Sequence, residues 1–165
     1  MQIVSIIGKS ANGKTTLIEK LVKELKKRGY RVGTIKHSTH GFEIDKKGKD
    51  SYKHKEAGAD TVVIASPTKL AFVKEIIKEL TIDQIARAYL SDMDIILTEG
   101  YKHENKPKIE VFRQEAGHKE FLCSDSDDLI AIVTNCNLNV IPDVPRFAMD
   151  DVCGVVNFLE EKHIK

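Results

Sequence analysis

Apolar positions first gather at residues 2–7, where Ile3, Val4, Ile6 and Ile7 lead into Gly8. A short β-branched run closed by glycine predicts a strand buried on both faces of a parallel sheet. The period then changes. Leu17, Ile18, Leu21, Val22 and Leu25 recur at helical spacing, Lys and Glu fill the opposite face, and Gly29 stands where a helix stops. Residues 30–36 read as a second strand, which completes a right-handed βαβ unit.

Residues 37–49 are polar apart from the alternating Phe42-Glu43-Ile44, so a hairpin or an ordered loop is expected there. A short helix over 51–57 stops at Gly58. Strands over 61–65 and 69–73 flank the turn signal Ser66-Pro67 and form a hairpin. Thr81-Ile82-Asp83-Gln84 fits a capping box and opens a helix whose stripe carries Ile82, Ile85 and Tyr89. Strands are expected over 94–98, 108–112 and 129–134. A last helix over 151–162 buries Val152, Val155, Val156 and Leu159. Strands alternating with helices in this way define an α/β fold around a mostly parallel twisted sheet.

Length and charge narrow the partners. The 165 residues suit one domain spanning 1–165, and 41% apolar with 31% charged residues is an ordinary globular balance. A formal charge of +1 offers no global attraction for nucleic acid or an anionic membrane, so neither is expected as a partner. Phosphate binding must come from a local site. Cys123, Cys136 and Cys153 show no CxxC spacing and read as reduced thiols. The first residues lack the basic start and cleavage site of a signal peptide, so a cytoplasmic location is expected.

That local site is legible between the first strand and first helix. Gly8-Lys9-Ser10-Ala11-Asn12-Gly13-Lys14-Thr15 matches GxxxxGK[ST], the phosphate loop or Walker A motif. Its glycines allow positive φ and close backbone approach, so that main-chain N–H groups can wrap a phosphate at the helix N-terminus. Lys14 is expected to reach the β and γ phosphates of a nucleoside triphosphate, and Thr15 to offer its hydroxyl to Mg²⁺. A carboxylate from a neighbouring strand end completes such a metal shell, and Glu99 closes Asp94-Ile95-Ile96-Leu97-Thr98 at the carboxyl end of a buried strand. Lys14 and Glu99 are therefore the candidate catalytic residues. Lys36 is a further phosphate candidate, and Asp45 and Asp50 are further metal candidates, because they follow the second strand. His37-x-x-His40 sits in a loop without a cysteine cluster and is not read as a metal site.

The chain resembles the molybdopterin-guanine dinucleotide biosynthesis protein B (MobB) family almost end to end. The resemblance rests on the phosphate loop, on Thr34-Ile35-Lys36-His37 with His40, and on Asp45-Lys46-Lys47-Gly48-Lys49-Asp50-Ser51-Tyr52. It continues through Ala57-Gly58-Ala59, Glu99-Gly100-Tyr101-Lys102-His103-Glu104, Lys108-Ile109, Phe112-Arg113 and Ala116-Gly117-His118. It implies a P-loop NTPase fold with helices on both sheet faces, a mixed sheet and an added β-hairpin. It also implies a GTP-binding, weakly hydrolysing homodimer that assists the MobA nucleotidyltransferase as GMP is attached to molybdopterin. Carried over by position, Gly13, Lys14, Thr15 and Thr16 would contact phosphate and metal, with Glu99 on the Mg²⁺ side.

Three features bear on the rival functions. Base-reading GTPases use NKxD, whereas this chain has Thr134-Asn135-Cys136-Asn137, which leaves Asn135, both donor and acceptor, to meet a purine edge. Lys9 occupies the signature position of MinD-like dimerising ATPases, but Ser10-Ala11 replace the flanking glycines. Arg28, Arg31, Arg87, Arg113 and Arg146 are scattered, without the clustered lid of a small-molecule kinase.

Overall fold

The computed structural model describes residues 1–116, 120–123, 128–136 and 143–164. Gly117, His118 and Asn137, named above, lie outside them. The chain divides into two compact units, one comprising Met1–His37 with Ile82–Lys165 and the other Ser38–Thr81.

The first unit is built on a parallel sheet. Its described strands are β1 (Gln2–Ile7), β2 (Val32–Lys36), β5 (Ile95–Glu99), β6 (Lys108–Val111), β7 (Leu129–Val133) and β8 (Arg146–Phe147), in the order β2-β5-β1-β6-β7-β8. β1 thus runs between β5 and β6, and its continuous apolar run follows from burial on both faces. Alternate side chains serve different layers. Val4 and Ile6 join Leu97, Ile109, Val111 and Val133 beneath α1 (Lys14–Lys27) and α4 (Val152–Lys162), whereas Ile3, Ile35 and Ile96 meet α3 (Ile82–Tyr89). Helices on both faces and a parallel sheet are the expected α/β arrangement.

The helix pattern explains the packing. Leu17, Leu21 and Leu25 lie at successive i+4 positions and are buried, each worth about 2 kcal/mol of apolar transfer. Asp151 caps α4 by accepting a hydrogen bond from the Gly154 N–H at 2.9 Å. The α3 stripe differs from expectation: Ile82 and Ala86 are buried and Leu90 packs against them, while Tyr89 is exposed. Spacing of i, i+4 and i+8 turns Tyr89 away from that face. β8, two residues long, has no periodicity from which it could have been read.

The second unit contains α2 (Asp50–Glu56) and an antiparallel hairpin of β3 (Thr61–Ala65) and β4 (Leu70–Lys74). The Ser66 N–H donates to the Lys69 carbonyl at 2.8 Å, closing the turn expected at Ser66-Pro67. Residues 37–49 form turns without a described strand, so the loop alternative holds there. Among the described residues antiparallel pairing is confined to this separate two-stranded sheet, rather than mixed into the parallel one. Among the described residues no helix is long and apolar enough to cross a membrane.

Candidate functional site

The carboxyl ends of the parallel strands form one crest, where open α/β sheets bind ligands. β1 reaches this crest and turns through residues 8–13 into α1. Gly8 has φ +147°, and a Cβ there would lie 2.5 Å from the Val111 carbonyl oxygen, so only glycine lets the loop pass the end of β6. The same carbonyl accepts a hydrogen bond from Asn12 Nδ2 at 3.0 Å, and Asn12 is buried. The two sides of the loop are thus pinned to one atom of β6. Gly13, with φ +91°, swings the chain into α1, whose first turn carries no acidic residue. The positive end of that helix is left for an anion.

Lys14 leaves this helix end and donates from Nζ to the Lys9 carbonyl at 2.9 Å, which holds its charge over the loop. Ser10 and Ala11 form the exposed outer arc of the loop, and Thr16 is exposed in the first turn of α1. Glu110 of β6 stands within electrostatic range of Lys9. Glu110 is buried, accepts the Leu122 and Cys123 N–H groups at 2.7 and 3.1 Å, and is raised above the usual carboxylate range by burial, which the Lys9 charge slightly opposes.

On the β5 side, the parallel register aligns Glu99 with Ile6 of β1 and Lys36 of β2. Thr15 Oγ1 lies 3.1 Å from both Glu99 carboxylate oxygens and donates there. The Lys36 ammonium stands 3.9 Å from Glu99 Oε1. A hydroxyl and a carboxylate are the hard oxygen donors that Mg²⁺ accepts while keeping several of its waters, so these residues fit that ion. Glycine-lined backbone and one lysine likewise fit a phosphate chain. Asp45 and Asp50 belong to the second unit. There Asp45 accepts the Lys46 N–H at 2.8 Å, and Asp50 opens α2 with Lys53 at 3.3 Å. No cluster of three or more metal-ligating side chains occurs among the described residues.

The β6–β7 side is open where the β5 side is closed. Asn135 follows β7, and its Oδ1 accepts the Met149 N–H at 2.9 Å, leaving the amide NH₂ as donor. It borders two cavities. One, of about 540 Å³, is lined by Thr134, Asn135, Cys136, Arg146, Phe147 and Ala148. The other, of about 490 Å³, is lined by Ala11, Arg113, Glu115, Asn135 and Met149. In the sequence Phe112-Arg113 enters only as part of the family resemblance, which gives Arg113 no role at the site. The structure brings it over Gly13, 100 positions earlier in the chain, and the available signal was its place just beyond the end of a strand adjoining β1.

The chain as a whole has relatives among known proteins. The family model for molybdopterin guanine dinucleotide synthesis protein B (MobB) matches residues 3–135. The chain belongs to the MobB family. It is 39% identical over 155 residues to the molybdopterin-guanine dinucleotide biosynthesis adapter protein of Escherichia coli K12, covering 92% of this chain and 87% of that one. The corresponding Haemophilus influenzae adapter protein is 40% identical over 159 residues, covering 96% and 87%. A crystal structure of molybdopterin-guanine biosynthesis protein B superposes with a TM-score of 0.75 at 32% identity, covering 96% and 98% of the two chains. That of Bacillus subtilis MobB gives 0.76 at 26% identity, covering 100% and 99%. The P-loop NTPase-like α/β fold read from the sequence is therefore the MobB fold.

Proposed function

We propose that the chain is a GTP-binding adapter of molybdenum-cofactor biosynthesis that assists attachment of GMP to molybdopterin and hydrolyses GTP weakly with Mg²⁺. One observation carries the nucleotide part: Thr15 and Glu99 meet at 3.1 Å beside Lys14, in a cradle that only Gly8 permits. Gly8 through Thr16 would hold the phosphate chain, with Lys14 neutralising its β and γ groups and Lys36 adding charge from β2. Thr15 and Glu99 would hold Mg²⁺, which supplies charge neutralisation on the phosphoryl oxygens. Lys14 would steady the leaving phosphate oxygens, and Glu99 would keep the Thr15 hydroxyl oriented. Asp45 and Asp50 are the alternatives to Glu99 for the metal carboxylate.

The nucleoside runs toward β7. From β5 to β7 is three strand spacings, roughly 14 Å at about 4.8 Å each, comparable with an extended nucleoside triphosphate. The Asn135 NH₂ suits guanine, which presents O6 and N7 as acceptors, whereas adenine presents an amino donor beside N7. The adapter role is supported by the E. coli and H. influenzae relatives, both molybdopterin-guanine dinucleotide biosynthesis adapter proteins. The partners proposed with it are a second copy of the chain, the MobA nucleotidyltransferase and molybdopterin, all in the cytoplasm.

Calorimetric titration of GTP and ATP side by side with Mg²⁺, with hydrolysis followed in the same samples, tests the reading. Tighter GTP binding with slow, Mg²⁺-dependent turnover is expected. Equal affinity for ATP would remove the guanine assignment, and rapid transfer to an added hydroxyl acceptor would favour a kinase.

A further inference from the structure

We infer that Arg113 is a second cationic contact for the bound nucleotide, placed where the phosphate chain meets the nucleoside. The inference rests on the GTP reading and deepens it. Arg113 follows Val111 by two residues, and the Val111 carbonyl fixes the phosphate loop at Asn12 and closes against Gly8. Loop and arginine therefore share one anchor. Three atoms of the guanidinium, Nε, Cζ and Nη2, each lie 3.5 Å from where a Gly13 Cβ would stand. Equal distances to three coplanar atoms mean that the plane lies flat across Gly13. Its N–H edges then point along the loop surface, the geometry in which a guanidinium forks onto phosphate oxygens.

Charge and position assign the end of the nucleotide. Lys14, Thr15, Glu99 and Lys36 occupy the β1–β5–β2 side of the crest, so the terminal phosphate belongs there. Arg113 stands on the opposite side, over Gly13, and lines the cavity of about 490 Å³ together with Ala11, Glu115, Asn135 and Met149. The Glu115 carboxylate in that wall repels a phosphate chain but accepts hydroxyl and N–H donors, so the cavity takes the uncharged sugar and base. Arg113, which touches both the loop at Gly13 and this cavity, then meets the phosphate nearest the sugar. Among the described residues no carboxylate forms an ion pair with the Arg113 guanidinium.

Titrations of GTP, GDP and inorganic pyrophosphate, each with Mg²⁺, into wild type, Arg113→Ala, Arg113→Lys and Lys14→Ala test the assignment. Arg113→Ala is expected to weaken GTP and GDP alike by roughly 10-fold or more, the effect of losing charge-assisted hydrogen bonds. Binding of pyrophosphate, which fills the β and γ positions and has no phosphate at the sugar-proximal one, is expected to stay within about 2-fold, and Arg113→Lys to recover part of the loss, since charge returns without the fork. Circular dichroism melts identify any variant that fails to fold, for which the lysine form gives the reading. Wild-type GTP affinity in Arg113→Ala, with Lys14→Ala defective, would overturn the inference alone. An equal loss for pyrophosphate would overturn it too, by moving Arg113 to the β and γ phosphates. Wild-type GTP binding in Lys14→Ala would remove the nucleotide reading, and the Arg113 assignment with it.

Discussion

The two halves of the strand crest solve different problems. Toward β5 the side chains are already joined: Thr15 bonds Glu99, and Lys36 lies beside it. Toward β6 and β7 the structure offers volume instead, with Asn135 bordering both cavities and Arg113 lining one of them. A metal with short, oriented bonds needs its donors placed beforehand, because an error of a fraction of an ångström costs coordination energy. A nucleoside needs room and a few directional contacts. The difference separates changes that disable chemistry from those that alter selection.

The largest effect is expected at the anchor common to both halves. Gly8→Val forces a side chain toward the Val111 carbonyl and holds β-branched bulk at φ +147°. Urea unfolding should show a loss on the order of 2–3 kcal/mol, and binding of every nucleotide should fail. Glu99→Gln comes next and touches the closed half alone. It should slow Mg²⁺-dependent GTP hydrolysis roughly 10-fold or more while leaving GTP affinity within a few-fold, because the backbone cradle survives. If hydrolysis were unchanged, the metal carboxylate would move to Asp45 or Asp50.

Asn135→Ala should act in the open half only. It removes the amide proposed to meet the base and the acceptor of the Met149 N–H, so GTP affinity should fall about 5- to 10-fold and the preference over ATP should narrow. Titration of both nucleotides reads this directly, and an unchanged preference would take Asn135 out of base recognition. The smallest effect lies at the far end of the same strands. Asp94, at the start of β5, accepts from the Arg31 N–H and guanidinium, and this pairing holds its carboxyl down to about 2. A depressed carboxyl stabilises the fold above its unfolded value near 3.9, and that contribution is lost as pH falls toward 2. Denaturant midpoints between pH 5 and 2.5 should therefore drop less in Arg31→Ala than in wild type. Midpoints falling in parallel would show that the pair contributes nothing to acid sensitivity.

Sequence pattern reached one half of the crest much better than the other. Every part of the closed half announces itself locally: a glycine-spaced loop between strand and helix, and an acid ending an apolar run. The hairpin at 61–73 was legible because strand runs flank a proline turn. Arg113 and the Asn12–Val111 bond were not, since each joins residues about a hundred positions apart and depends on which strands adjoin β1. Strand order is a tertiary outcome that no local period encodes. Tyr89 shows a smaller version of the same limit, because a stripe at i, i+3 and i+7 and one at i, i+4 and i+8 differ by a slight rotation that packing decides.

The central claim is that the loop from Gly8 to Thr15 holds a triphosphate chain through Lys14. Calorimetric titration of Mg²⁺-GTP into wild type and a folded Lys14→Ala variant tests it most directly. Saturable one-site binding in the wild type, falling at least roughly 100-fold in the variant as a charge-assisted phosphate contact is lost, is the predicted result. Equal affinity in the two proteins would contradict it.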